Sequence, residues 1–160
     1  MTLPQEGRKA PAFTAKDETD KTHRLSDYKG KPLVLYFYPT DDTPGCTKEA
    51  CSFRDNIGAL RKLGAVVLGV SRQDAASHRK FKDKHDLNFP LLIDDGSLSE
   101  SYGTWVEKNM YGRKYMGMQR ATFLIAPDQT IAKVWEKVKP EGHADDVLEA
   151  LKVSMAPKAR

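Results

Sequence analysis

LVLYFYPTDDTPGCTKEAC, residues 33–51, decides how this chain folds. Its first six residues are continuously apolar, the pattern of a strand buried on both faces. Thr43 then suits a helix N-cap and Pro44 the first helical position, so a helix is expected over 43–63, ended by Gly64. The strand therefore runs straight into a segment that holds both of the chain's cysteines, Cys46 and Cys51. In open α/β sheets, sites gather at the carboxyl ends of strands. Residues 39–46 are the first place to look for chemistry.

Outward from that stretch, the sequence alternates strands and helices. Residues 10–25 read as two short strands around the polar turn DETD (17–20). AVVLGVS (65–71) is a second buried strand, and Asp74 can cap a polar helix over 75–86. FPLLID (89–94) is a third strand. A short helix is expected around 97–103, followed by an irregular YGRKYMG stretch. Residues 121–127 and 130–138 form two strands joined at Asp128-Gln129. A closing helix over 143–154 places Val147, Leu148 and Leu151 on one face. This order predicts one α/β domain over 1–160, with a central mixed β-sheet flanked by helices and an N-terminal β-hairpin extension. Residues 1–9 and 155–160 are expected to fray.

The totals narrow the function. The chain has 160 residues, enough for one domain whose core needs no disulfide staple. Hydrophobic residues make up 39% and charged ones 30%, and the net charge of +4 is spread without runs of one sign. That pattern argues for a solvated surface and against a nucleic-acid partner. The N-terminal MTLPQEGRKAPAF lacks the apolar region of a secretory signal, and no apolar run approaches a membrane span. A cytoplasmic protein is expected, where cysteine pairs are more often catalytic or metal-binding than structural. His23, His78, His85 and His143 show no paired ligand spacing with the cysteines, which weakens a zinc site.

The spacing of the two sulfurs carries more information. In a helix starting at Pro44, Cys46 lies in the first turn, where unpaired N–H groups and the positive end of the helix dipole favour a thiolate. It shares an apolar face with Ala50, Phe53, Ile57 and Leu60. Cys51 lies about 140° around the helix, on a wetter side with Asp55 and Lys62. Cα atoms five residues apart in a helix stand about 8.7 Å apart. A disulfide needs roughly 4.4–6.8 Å. The two cysteines can bond only if the first turn or two unwind, so the pair reads as separate in one state and joined in another.

These residues resemble a peroxiredoxin. The family motif Pro-x3-Thr-x2-Cys is matched by Pro39, Thr43 and Cys46. The fuller FYPTDDTPGCTKEAC resembles the peroxiredoxin Q, or bacterioferritin comigratory protein, subfamily, whose members often carry a second cysteine five positions on. YGRKYMGMQRATFLI is similar to a later segment of that subfamily, and its Arg120 matches the motif arginine. Thr40 and Ala126 stand where relatives often have Lys and Asp. The resemblance spans nearly the whole chain and implies a thioredoxin-like fold and reduction of hydrogen peroxide and organic hydroperoxides, with no metal or prosthetic group. It implies that Cys46 is the peroxidatic cysteine, that Cys51 is the resolving one, and that thioredoxin or a similar dithiol protein is the reductant of a monomeric enzyme.

Simple magnitudes show what the other motif residues must do. An unperturbed thiol near pKa 8.5 is already about 3% ionised at pH 7. Complete ionisation gains only about 30-fold, or about 2 kcal/mol. The rest must come from holding the O–O bond and stabilising charge on the departing oxygen. The resemblance assigns this to the Thr43 hydroxyl, the backbone N–H groups of Gly45 and Cys46, and the Arg120 fork, with Pro39 forming a dry wall and Glu49 orienting Arg120. Trp105 and Tyr111 are expected to pack, and Met110, Met116 and Met118 to fill gaps. Two competing classes remain. A protein disulfide oxidoreductase would want C-x-x-C, and a metal-delivery module would want a histidine beside a closer cysteine pair.

Overall fold

The computed structural model describes residues 3–155. The expected hairpin is β1 (Thr14–Asp17) and β2 (Thr22–Arg24), followed by a turn of 3-10 helix over Leu25–Tyr28. The apolar stretch forms β3 (Leu33–Phe37), every residue buried, and the cysteines lie in α1 (Pro44–Lys62). Then come β4 (Val66–Ser71), α2 (Ala75–His85), β5 (Leu91–Ile93) and α3 (Ser97–Ser101). The remaining elements are β6 (Trp105–Met110), β7 (Arg113–Met118), β8 (Ala121–Ile125), β9 (Ile131–Trp135) and α4 (His143–Met155).

Seven strands form a mixed sheet in the order β2-β1-β5-β4-β3-β8-β9. β3, β4 and β5 run parallel, while β8 pairs antiparallel with β3. Alternation along β3 explains its full burial. Val34 and Tyr36 face a core with Cys46, Phe53, Phe81 and Val147, from α1, α2 and α4. Leu33, Leu35 and Phe37 face a second core with Leu98, Tyr102 and Phe13. Tyr36 stacks on Phe53 with ring centroids 4.6 Å apart, fixing α1 over β3. Gly69 on β4 lets it do so, since a Cβ there would stand 3.0 Å from the Tyr36 ring.

Three expectations need correction. The stretch expected to be irregular is half of a two-stranded hairpin, β6–β7, turned at Tyr111 and Gly112 with φ of 53° and 80°. Most of its residues are exposed, so no apolar alternation marked it. Consequently Tyr111 is fully exposed, and Met110 and Met116 are 56% and 52% exposed; of the three methionines only Met118 is core. Trp105 does pack, beneath the Arg72 guanidinium. Finally, residues 7–9, expected to fray, are hydrogen-bonded along β9: Gly7 N–H donates to the Ile131 carbonyl and Ile131 N–H to the Arg8 carbonyl, each at 2.8 Å. Residues 156–160 lie outside the described residues.

Candidate active site

Cys46 sits in the first turn of α1, 1% exposed, on the inward face that the helix period assigned to it. Thr43 occupies the N-cap position with extended backbone, but its hydroxyl caps nothing. It donates instead to the Thr40 carbonyl at 2.9 Å. The first-turn N–H groups around Cys46 therefore have no side-chain cap and point out of the positive end of the helix. Pro39 is half-buried at the end of β3.

Arg120 reaches this point because of strand register. It immediately precedes β8, and Ala121 pairs with Phe37 at the end of β3. Its Nη2 donates to Cys46 Sγ at 3.2 Å, and its Nη1 to Glu49 Oε1 at 2.6 Å. The Glu49 carboxyl group thus fixes the guanidinium fork, and the fork presents its other nitrogen to the sulfur. Glu49 has no exposure, and burial pushes its carboxyl up to about 7 although the charge and hydrogen bond of Arg120 pull it back. Arg120 itself is only partly buried; burial works against its charge, but Glu49 and Cys46 hold its proton more firmly than usual. Gly45 makes the geometry possible, since a Cβ there would stand 3.2 Å from Arg120 Nη2. A shallow groove of about 560 Å³ beside Gly45 is lined by Lys48, Val138, Lys139, Pro140 and Glu141.

Cys51 is half-buried, on the other side of the same unbroken helix, and both thiols are free. The site thus brings together Cys46, Glu49, Arg120, Gly45 and, at its edge, Thr43 and Pro39, while Cys51 stands apart.

Sequence reasoning missed what holds the loop. Asp41, buried between β3 and α1, accepts from the Tyr38 hydroxyl at 2.6 Å, the Ser77 hydroxyl at 2.7 Å and His78 Nδ1 at 2.6 Å. Its N–H donates to Gln73 Oε1 at 2.8 Å. His78 Nε2 faces the Leu92 carbonyl, which can only accept, so that nitrogen carries hydrogen. Asp42 adds surface contacts to Lys84 and His85. In the sequence His78 stood out only as a histidine without paired ligand spacing; its partnership with Asp41 across 37 positions leaves no local signal.

With fold and site in view, comparison with known proteins is direct. The family model described as AhpC/TSA matches residues 7–134. The chain belongs to the AhpC/TSA family: it is a thioredoxin-fold peroxiredoxin, a thiol-dependent peroxidase. Its relatives fall in the Bcp, or peroxiredoxin Q, group. It is 48% identical to Peroxiredoxin Bcp of Bacillus subtilis over 147 residues, covering 91% of this chain and 94% of that protein. It is 41% identical to Peroxiredoxin Bcp of Escherichia coli over 144 residues, covering 89% and 92%. The structure of the bacterioferritin comigratory protein of Xanthomonas campestris matches with a TM-score of 0.88 at 39% identity, covering 94% and 99%. A cysteine variant of PrxQ from Xylella fastidiosa matches with a TM-score of 0.92 at 35% identity, covering 98% and 100%.

Proposed function

We propose that Cys46 is the sulfur that attacks peroxide and that Cys51 resolves the product. The observation that carries this is the fork of Arg120, with one nitrogen on Glu49 and the other 3.2 Å from Cys46 Sγ. A fixed cation beside a buried sulfur is placed to bind the peroxide oxygens and to stabilise charge as the O–O bond breaks. The N–H groups of Gly45 and Cys46 complete the donor set, the Thr43 hydroxyl, whose hydrogen goes to the Thr40 carbonyl, accepts from the hydroperoxide O–H, Pro39 walls the sulfur from water, and Glu49 orients Arg120. Cys46 becomes a sulfenic acid while water or an alcohol leaves. The first turns of α1 then unwind, Cys51 condenses with the sulfenic acid, and a dithiol protein of the thioredoxin type reduces the disulfide. Substrates are hydrogen peroxide and organic hydroperoxides; alkyl peroxide reduction is the activity named for the X. campestris protein. The reading includes a single monomeric domain acting in the cytoplasm; no helix among the described residues is long and apolar enough to cross a membrane.

Stopped-flow mixing of the reduced protein with hydrogen peroxide tests the assignment. Cys46→Ser is expected to lose all turnover. Cys51→Ser is expected to consume one equivalent of peroxide and stall as a sulfenic acid. Cys46 oxidation no faster than that of free cysteine would overturn the role of Cys46. Full thioredoxin-linked turnover by Cys51→Ser would overturn that of Cys51.

A further inference from the structure

Arg120 carries one positive charge and serves two acids. Glu49 Oε1 takes one nitrogen of the fork and Cys46 Sγ the other. The second carboxyl oxygen, Glu49 Oε2, is buried with no hydrogen-bond partner. An unpartnered buried oxygen is far costlier on a carboxylate than on a neutral acid. Cys46 is likewise buried, so two anions opposite one cation would leave an uncompensated negative charge in a dry site.

The groups around the pair do not relieve this. Tyr36, from β3, is fully buried, its hydroxyl also lacks a partner, and burial and the nearby acids keep it protonated. Lys108, half-buried on β6, feels Arg120 and Cys46, and burial weakens its hold on its proton. It forms no ion pair with Glu49 among the described residues. His143, from α4, is held neutral by burial, and Arg120 adds to that. Burial correspondingly raises the Glu49 carboxyl to about 7.

We propose that Glu49 is the proton store of the site: a carboxylic acid while Cys46 is a thiolate, and a carboxylate once Cys46 is a sulfenic acid. This rests on Cys46 being the sulfur that peroxide oxidises. The step balances. A sulfur electron pair forms the S–O bond to the hydroxyl oxygen of the hydroperoxide, the O–O bond breaks, and the other oxygen leaves as an oxide that takes up a proton from solvent. Sulfur is oxidised by two electrons and the peroxide is reduced by two. As sulfur loses its charge, Glu49 yields its proton to solvent. Thiolate, hydroperoxide and carboxylic acid become sulfenic acid, alcohol and carboxylate, and Arg120 faces one anion throughout. Glu49 acts on the sulfur through Arg120 and need not touch the peroxide.

Difference infrared spectroscopy on Cys51→Ser, which stops at the sulfenic acid, tests this at neutral pH. One equivalent of peroxide is expected to remove a carboxylic-acid C=O band and create a carboxylate band. Both bands are expected to shift on 13C labelling of glutamate, and both to be missing in Glu49→Gln. Labelling alone suffices if that variant does not fold, because Glu18, another buried glutamate, is held by Lys82 and the Leu91 N–H away from the sulfur. Oxidation of Cys46, confirmed by mass spectrometry, without loss of an acid band would overturn the proton store and leave the role of Cys46 intact. Absence of Cys46 oxidation would overturn both.

Discussion

At the scale of single residues, the site is a problem of aiming one guanidinium. Glu49 pulls on one nitrogen of Arg120 and leaves the other for Cys46. A lysine supplies the charge from a single nitrogen, whose rotatable donors cannot hold Glu49 and Cys46 in the fixed geometry of a planar fork. Arg120→Lys is therefore expected to slow Cys46 oxidation by about 100-fold, the scale of losing a preorganised donor, while thermal stability changes little. Gly45 has the complementary role of leaving the fork its place. In Gly45→Ala the new methyl meets Arg120 Nη2, so the peroxide rate constant is expected to fall about tenfold, about 1.4 kcal/mol in the barrier. Both expectations are checked by stopped-flow fluorescence; unchanged rates would remove these residues from the site.

At the scale of elements, the proposed disulfide step asks α1 to be firm at one end and yielding at the other. Phe53, Ile57 and Leu60 bury its later turns, and Phe53 stacks on Tyr36, so the unwinding proposed for disulfide formation is expected to stay within the turns that carry the sulfurs. The loop before the helix is fastened separately, through Asp41 to Tyr38, Ser77 and His78. Removing that carboxyl group takes a partner from Tyr38, Ser77 and the buried His78 at once. Asp41→Ala is expected to cost about 3–5 kcal/mol in urea denaturation and also to slow peroxide attack, because Thr43 and the helix start lose their anchor. A loss under about 1 kcal/mol would show that the loop is held by other contacts.

At the scale of the whole molecule, His143 ties α4 to the sheet and to α1. Its Nε2 meets the Thr122 hydroxyl at 2.8 Å, and its ring lies edge-on to Phe53 and Trp135. Burial lowers its pKa from 6.5 to about 4, with Asp146 opposing and Arg120 assisting. Between those values the unfolded chain binds a proton that the folded chain refuses. The His143 contribution to stability is therefore intact above about 6.5 and lost progressively as pH falls toward 4, by about 3 kcal/mol in all. Glu49, whose carboxyl is raised to about 7, gains stability over the same range, so urea denaturation between pH 7 and 4 is expected to show the His143 loss as a difference, His143→Gln falling less with acid than the wild type. Parallel pH profiles would assign the acid sensitivity elsewhere.

The two ends of the inference have different physical origins. Element order, the buried strand 33–38, the helix start at Pro44 and the inward and outward placement of Cys46 and Cys51 follow from periodicity, capping and spacing. Those are local properties of the chain, so they could be read from the sequence alone. Arg120 could be picked out only by resemblance, since an arginine opening a strand is ordinarily a surface charge. Its place on the sulfur follows from the β3–β8 register, and the Asp41–His78 clasp from the packing of α2 against the loop. The β6–β7 hairpin escaped notice because a ribbon with little burial needs little hydrophobic patterning. What tertiary structure decided was which distant charges meet around a sulfur, and the orphaned Glu49 oxygen exists only because burial and partner count are properties of the packed molecule.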